Sequence, residues 1–170
     1  GTLVYDLQLS GPVATGSASV FASDDAMGLR NGDMTARVDQ LIGLNASVRQ
    51  AGGTVRLRAV SFAVDRQWAC IDASGDLGTD VLSNLGAGYG EDLPDVEGQI
   101  ACSGTMLDVL LDGTSQSGIS VDIDARVGVA SASSLNARIG GARGEIAQAL
   151  RALGFTRSGG DFVYVRELGP

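Results

Sequence analysis

The chain has 170 residues, 44% of them hydrophobic and 19% charged, which excludes a disordered chain and fits one domain over residues 1–170. The net charge of −8 repels phosphate backbones, so we expect no nucleic acid as a partner. All twelve basic residues are Arg and there is no His, which removes the imidazole bases, Schiff-base amines and Ser-His or Cys-His pairs of most hydrolases and transferases; we expect no enzyme and no cofactor.

The first two predicted elements are strands. Between Leu3 and Leu9 the odd positions are apolar and most even positions are polar, and small residues dominate from Val13 to Ala22. Alternation with period two is typical of strands with one buried and one solvated face, so both segments are expected to be half-buried. The longest charge-free stretch, residues 7–23, contains glycines and a proline and cannot form a helix that spans a membrane.

A long strand with a change of phase is predicted from Thr54 to Asp65. Apolar residues take the odd positions up to Ala59 and the even positions from Val60 onward. A bulge near Ala59 would reconcile the two phases. The only tryptophan, Trp68, follows this strand; we expect its ring in the core, with stacking against a ligand as the alternative.

The two cysteines, Cys70 and Cys102, lie in strand-like surroundings. A disulfide between them would close a loop of about 33 residues and contribute roughly 3.5 to 4 kcal/mol in the chain-entropy model, provided that the compartment is oxidising. The alternative is a pair of buried free thiols, because unpaired cysteine packs as a small apolar residue. Without CxxC spacing or histidine, the sequence predicts no metal site.

The clearest strand pattern follows the second cysteine. Apolar residues take every odd position from Ile119 to Val129, and a similar alternation runs from Leu107 to Leu111. The link between these segments is rich in turn-forming residues, which predicts an antiparallel hairpin. The segments Glu97–Cys102 and Leu135–Ile139 extend this meander on either side, because short connections favour neighbouring antiparallel pairing.

Two short helices complete the predicted elements. A helical turn capped by Thr79 is ended early by the glycines that follow it. In the segment from Ala142 to Leu153, apolar residues recur at i, i+4 and i+7, and Gly154 is placed to end the helix, which is expected to pack one face on the sheet. A final strand is predicted from Phe162 to Arg166. The apolar positions of the last helix are Ile146, Leu150 and Leu153.

Together these elements predict a mainly β fold. We expect a curved antiparallel sheet, as an open meander or a partly open barrel, with one or two short helices, one of them C-terminal and packed on the sheet. No Pro-rich linker, long charge run or low-complexity segment divides the chain. The elements are therefore expected to form one continuous domain.

The aspartate clusters and the glycosylation sequon do not predict a functional site. Asp122 and Asp124 fall on the same wet face of an alternating strand, where charged residues belong. The aspartates spaced by four from Asp72 to Asp80 do not match the spacing of a calcium loop. The tripeptide that begins at Asn45 matches a glycosylation sequon by pattern only.

The last hundred residues contain an ordered set of motifs, of which the paired cysteines and the terminal helix are the more distinctive. The set consists of Trp68-x-Cys70, Gly75 with Thr79-Asp80, Gly98-x-Ile100-x-Cys102 and Ala149-Leu150-x-x-Leu153-Gly154-Phe155. In these motifs the chain resembles protein N of the bacterial type II secretion system.

This resemblance implies a non-enzymatic accessory or scaffold subunit that docks to inner-membrane platform subunits during protein export. It also implies a periplasmic β-rich domain beside the inner membrane and an N-terminal membrane anchor that is absent from this chain. The protein would contact the membrane only through this anchor. Exposed sheet edges suit docking, because an added strand satisfies unpaired backbone groups. The alternative function is a periplasmic carrier that holds lipid or another hydrophobic ligand on the apolar face of the curved sheet.

Overall fold

The computed structural model describes residues 1–41, 46–128 and 132–168, which form eleven strands, three α-helices and a 3₁₀ turn. The strands are β1 (Leu3–Ser10), β2 (Ala14–Ala22), β3 (Ala26–Arg37), β4 (Thr54–Asp65), β5 (Cys70–Thr79), β6 (Val96–Ser103), β7 (Met106–Thr114), β8 (Ser120–Val127), β9 (Ser133–Gly140), β10 (Thr156–Ser158) and β11 (Asp161–Leu168). The helices are α1 (Ala46–Ala51), α2 (Val81–Gly88) and α3 (Gly144–Ala152), and the 3₁₀ turn covers Val38–Gln40.

All eleven strands belong to one open antiparallel sheet. Its spatial order repeats the chain order, except that β11 lies between β9 and β10. Each strand from β1 to β9 therefore pairs with the next one, as short connections favour. The predicted mainly β meander and its C-terminal helix are confirmed. The predicted strand from Ile119 to Val129 corresponds to β8, and Val129 lies outside the described residues.

Four elements lack a prediction from the sequence: β3, β10, α1 and the 3₁₀ turn. The long strand β3 does not alternate cleanly, because its pairing with β4 shifts register on both sides of Gly32. Asn31 in this strand has a φ of +50°, which is uncommon for a side-chain-bearing residue. These irregularities disrupt the period of two on which strand prediction depends.

The predicted bulge in β4 is confirmed at Ala59. This residue has a φ of +49°, and the pairing with β5 skips from Arg58 to Ser61. The backbone N–H of Ala59 donates to Oδ1 of Asp33 at 3.1 Å, so a carboxylate accepts the hydrogen bond that the interrupted ladder cannot. The bulge changes the phase of the strand, and Val60 beyond it is buried.

The main core lies under α3. Ile146 and Leu150 on this helix are buried with Phe162 and Val121 of the sheet, which confirms the predicted packing of the C-terminal helix. The prediction for Leu153 is wrong, because its side chain is 65% exposed. The reason is that α3 ends at Ala152, so the residue after it leaves the helical face that points to the sheet.

The predicted glycine stop of α3 is present as a closed C-terminal turn. Gly154 has a φ of +93°, and its N–H donates to the carbonyl of Arg151 at 3.0 Å. The N–H of Phe155 donates to the carbonyl of Leu150 at 2.9 Å. This pair of bonds is the Schellman arrangement, which satisfies carbonyls at the end of a helix and favours glycine at the left-handed position.

The first helix predicted from the sequence begins one residue later and runs further than expected. Its N-cap is Asp80 and not Thr79, and α2 continues through Gly86 to Gly88. The carboxylate of Asp80 turns back to the sheet, where it accepts the backbone N–H of Thr54 at 2.6 Å and its hydroxyl at 3.1 Å. Asp80 thus fixes the start of α2 to the start of β4.

Two burial predictions in the first half of the chain are wrong. Trp68 is 51% exposed, because it lies in the turn between β4 and β5 with a φ of +64° and not in a strand. The strand β1 is exposed along its whole length, although it was expected to be half-buried. It forms the edge of the sheet, and no described helix covers its apolar side.

Candidate docking surface

The pairing of the strands assigns every side chain to one of two faces of the sheet. Residues directly opposite each other on neighbouring strands point to the same face, and successive residues alternate. We call the side packed by α3 the apolar face. One row of paired residues crosses it through ten strands: Leu9, Gly16, Met34, Leu57, Leu77, Gly98, Leu111, Ile123, Ala137 and Tyr164.

The apolar face is covered at one end and open at the other. Under α3, Phe162 and Val121 are each 2% exposed, and Val96 is fully buried. At the opposite end, Leu3 is 61% exposed and Tyr5 is 62% exposed. The same face therefore forms a core at β8–β11 and presents apolar side chains to solvent at β1. We call the β1 part, with Leu3, Tyr5, Leu7 and Leu9, the open apolar strip.

The outer edge of β1 carries unpaired backbone groups. The N–H of Gly11 donates to the carbonyl of Ala14 across the turn that joins β1 to β2. Hydrogen-bonded and non-hydrogen-bonded pairs alternate along an antiparallel ladder, so the odd residues of β1 bond to β2. The N–H and C=O groups of the even residues consequently point to the free edge; these residues are Val4, Asp6, Gln8 and Ser10.

The other face of the sheet is charged over β4 to β7, and it carries the exposed side chain of Val4 on β1. A groove of about 510 Å³ crosses β4 to β7, lined among others by Arg56, Arg58, Asp76 and Glu97. Its one ion pair joins Arg56 to Glu97 at 3.9 Å, with the glutamate largely exposed, so the pair contributes little to stability. The exposed side chains Asp122 and Asp124 belong to an adjoining groove over β7–β9, where the sequence predicts a solvated face.

Cys70 and Cys102 form a disulfide in the structure, with their Cα atoms 5.6 Å apart. The ladder between β5 and β6 pairs residues 76–79 with 96–99 and extends no further. The disulfide joins the two strands beyond the end of that ladder, where the N–H of Cys70 also donates to the carbonyl of Thr105 at 2.9 Å. It therefore lies at the junction between the first five strands and the rest of the sheet.

The acidic residues do not gather into a metal site in the part of the chain that the structure describes: no group of three potential ligands occurs there. Asp72 and Asp76 are exposed on β5, whereas the carboxylate of Asp80 accepts hydrogen bonds from Thr54. Asn45 of the sequon lies outside the described residues. Over residues 1–41, 46–128 and 132–168, no helix has the length and apolarity to cross a membrane.

The carboxyl group of Asp39 has a shifted pKa. The amide of Gln40 donates to Oδ2 of Asp39 at 2.8 Å, and the guanidinium of Arg37 contacts both carboxylate oxygens, at 2.7 and 3.1 Å. The hydrogen bond from Gln40 and then that from Arg37 hold the pKa of Asp39 below its ordinary value of 3.8. This group stabilises the turn after β3, and nothing around it resembles a catalytic pair.

The candidate surface of this protein is therefore the open apolar strip with its free edge. Sequence reasoning identified the alternation in β1 but placed it in a half-buried strand. Alternation shows which residues share a face, and it does not show whether another element covers that face. The signal that points to exposure is the absence of a predicted helix near β1, since the amphipathic helix predicted from Ala142 to Leu153 lies at the far end of the chain.

Comparison with known proteins identifies a family whose model matches nearly the whole chain. The family model described as type II secretion system (T2SS), protein N, matches residues 1–165. The match covers the first fifty residues as well as the later part of the chain that carries the motifs. No curated protein and no solved structure matches the chain.

Proposed function

The chain belongs to the type II secretion system protein N family, and we propose that it is a non-enzymatic accessory subunit that docks to platform subunits at the inner membrane. The family match over residues 1–165 carries this proposal. In the proposal, residues 1–170 form one domain on the periplasmic side of the inner membrane, held there by an N-terminal anchor. Its partners are other subunits of the secretion machine.

Four properties of the molecule support the proposal. The open apolar strip exposes large side chains, such as Tyr5 at 62%, which are typical of surfaces that other proteins cover. The free edge of β1 offers backbone donors and acceptors to an added strand. The chain lacks histidine and lysine, and its disulfide suits an oxidising compartment such as the periplasm.

The proposal is tested by affinity capture of the full-length protein from its own membranes. A tag at the C-terminus and brief chemical crosslinking before solubilisation would preserve weak contacts, and mass spectrometry would identify the captured proteins. We expect other subunits of the secretion machine in at least tenfold excess over a control membrane protein with the same tag and anchor. Capture that is equal to this control would contradict the proposal.

The carrier function is the second candidate, and the exposure of Leu3, Tyr5 and their neighbours favours it. An apolar face without a helical cover could hold acyl chains. Lipid extracted from protein purified without detergent would be identified by mass spectrometry. Stoichiometric lipid that is lost on replacement of Tyr5 by aspartate, with retention of the fold, would favour the carrier over the docking subunit.

A further inference from the structure

We propose that an extended segment of a partner protein adds to the free edge of β1 as a new strand. Its apolar side chains would continue the open apolar strip, and a basic side chain would lie beside Asp6. This inference rests on the proposed function and names the surface and the chemistry of the partner. It begins from three observations on β1: its free backbone groups, its contrast with the opposite edge of the sheet, and its charge.

The free backbone groups occur at a spacing that a strand requires. Even residues of β1 direct N–H and C=O groups outward, while the odd residues are bonded to β2. An added strand would pair with these even residues and leave the ladder to β2 intact. The side chains of the odd residues stay on the apolar face, so the new strand would extend that face without rearrangement of the sheet.

The two edges of the sheet differ in how well they are protected. The edge strand β10 has three residues, includes Arg157 and is followed by Gly159 and Gly160. In contrast, β1 has eight residues, of which only Asp6 is charged, and it contains neither proline nor a register shift. Natural sheets protect their edges with short strands, charges, prolines or bulges. The lack of such protection on β1 indicates that another strand pairs with its free edge in the assembled protein.

Charge selects a basic partner strand over a second copy of this chain. Asp6 lies in the middle of β1, where its Oδ1 accepts the hydroxyl of Ser19 at 2.6 Å. Asp24, in the turn that joins β2 to β3, is a second exposed carboxylate. A second copy would bring together two chains of charge −8, and pairing centred on Asp6 would place this carboxylate opposite itself. A lysine or arginine on a partner strand would instead complement it.

The test compares full-length protein with two variants at Gln8, whose N–H points to the free edge. The change Gln8→Pro removes this donor and places a ring at the edge, and it leaves the bonds to β2 unchanged. The change Gln8→Ala removes the side chain alone. Capture of secretion subunits from native membranes is expected to fall at least tenfold for Gln8→Pro and to change less than twofold for Gln8→Ala, with equal thermal unfolding temperatures for both variants.

A charge reversal tests the basic partner independently of proline. We expect Asp6→Arg to lower the same capture at least fivefold at low salt. The matched control is Asp122→Arg, which reverses another exposed charge, on β8 and far from β1, and should leave capture unchanged. Equal losses for both reversals would show an effect of net charge and would overturn the assignment of the partner charge to Asp6.

The outcomes separate this inference from the proposed function. If the wild type and Gln8→Pro capture secretion subunits equally, the function stands and the docking edge is overturned. If the wild type captures none, the function fails, and the edge is tested with a synthetic peptide that alternates valine and threonine around one central arginine. Binding of this peptide to the full-length protein that is lost in Gln8→Pro supports the edge; no binding overturns it. Crosslinks that join the free edge of β1 to a second copy, to a segment of the same chain other than β2, or to lipid also overturn it.

Discussion

The two ends of the sheet carry the same alternation of side chains but have different surroundings. At the C-terminal end, α3 covers the apolar face and buries Phe162 to 2% exposure. At the N-terminal end, the same face of β1 leaves Leu3 61% exposed. The comparison shows that an apolar face becomes a core only where a second layer packs on it, and elsewhere remains available to a partner.

The two halves also differ in the regularity of their pairing. The ladders from β6 to β9 run without interruption, whereas those between β2 and β5 contain register shifts at each pair of strands. Bulges increase the local twist of a sheet. The first half is therefore the part in which the sheet departs most from a flat ladder, and the disulfide joins β5 to β6 where the two halves meet.

The first prediction, a large loss of stability, concerns this junction. Replacement of both Cys70 and Cys102 by alanine should lower the free energy of unfolding by roughly 3.5 to 4 kcal/mol, because the closed loop restricts the unfolded chain. Urea unfolding of the oxidised wild type and the double variant measures the difference. Thiol titration under denaturing, non-reducing conditions is the control, and it should find no free thiol in the wild type; two free thiols would contradict the disulfide.

The next prediction tests the contrast between the two ends directly by replacing one leucine with alanine at each end. Leu150→Ala under α3 should cost about 2 to 5 kcal/mol, because it leaves a cavity in a packed core. Leu7→Ala on β1, where the side chain is 47% exposed, should cost less than about 1 kcal/mol. Urea unfolding of purified chains gives both values. Equal losses would mean that another element covers the strip in solution.

A smaller effect is expected where α2 meets the start of β4. Asp80→Ala removes the acceptor of the N–H and hydroxyl of Thr54, and it should lower the free energy of unfolding by about 1 to 3 kcal/mol. The matched control is Asp76→Ala, because that carboxylate is exposed on β5, the strand that ends just before Asp80. The same urea experiment would contradict the assignment if the two variants were equally stable.

The smallest effect is a pH dependence in the first half. The pKa of Asp39 is lowered in the folded protein, so its stabilising contribution is present above pH 3.8 and is lost as the pH falls through the folded value. NMR titration of the carboxyl carbon should place the midpoint below 3.8 in the wild type. Gln40→Ala should raise it the most, followed by Arg37→Ala, while the distant Arg58→Ala should leave it unchanged.

The sequence predicts the elements whose patterns are local and regular. The period of two from Leu107 to Leu111 and the break in phase at Ala59 both correspond to structure, because neighbouring residues decide them. The register shifts of β3 depend on its pairing with β4, and the exposure of Trp68 depends on the turn after β4; local patterns contain neither. For the candidate surface, the alternation of β1 was predictable, while its lack of a cover depends on where α3 packs.

The order of the strands also has a consequence for how the molecule is built during synthesis. Each strand from β2 to β9 pairs with the strand that precedes it in the chain. A sheet of this kind can grow strand by strand as the polypeptide emerges, because no early strand has to wait for a distant partner before it can bond. The described strands depart from this order at the last step. There β11 inserts between β9 and β10 and pairs with both, so the end of the sheet that α3 covers is completed last.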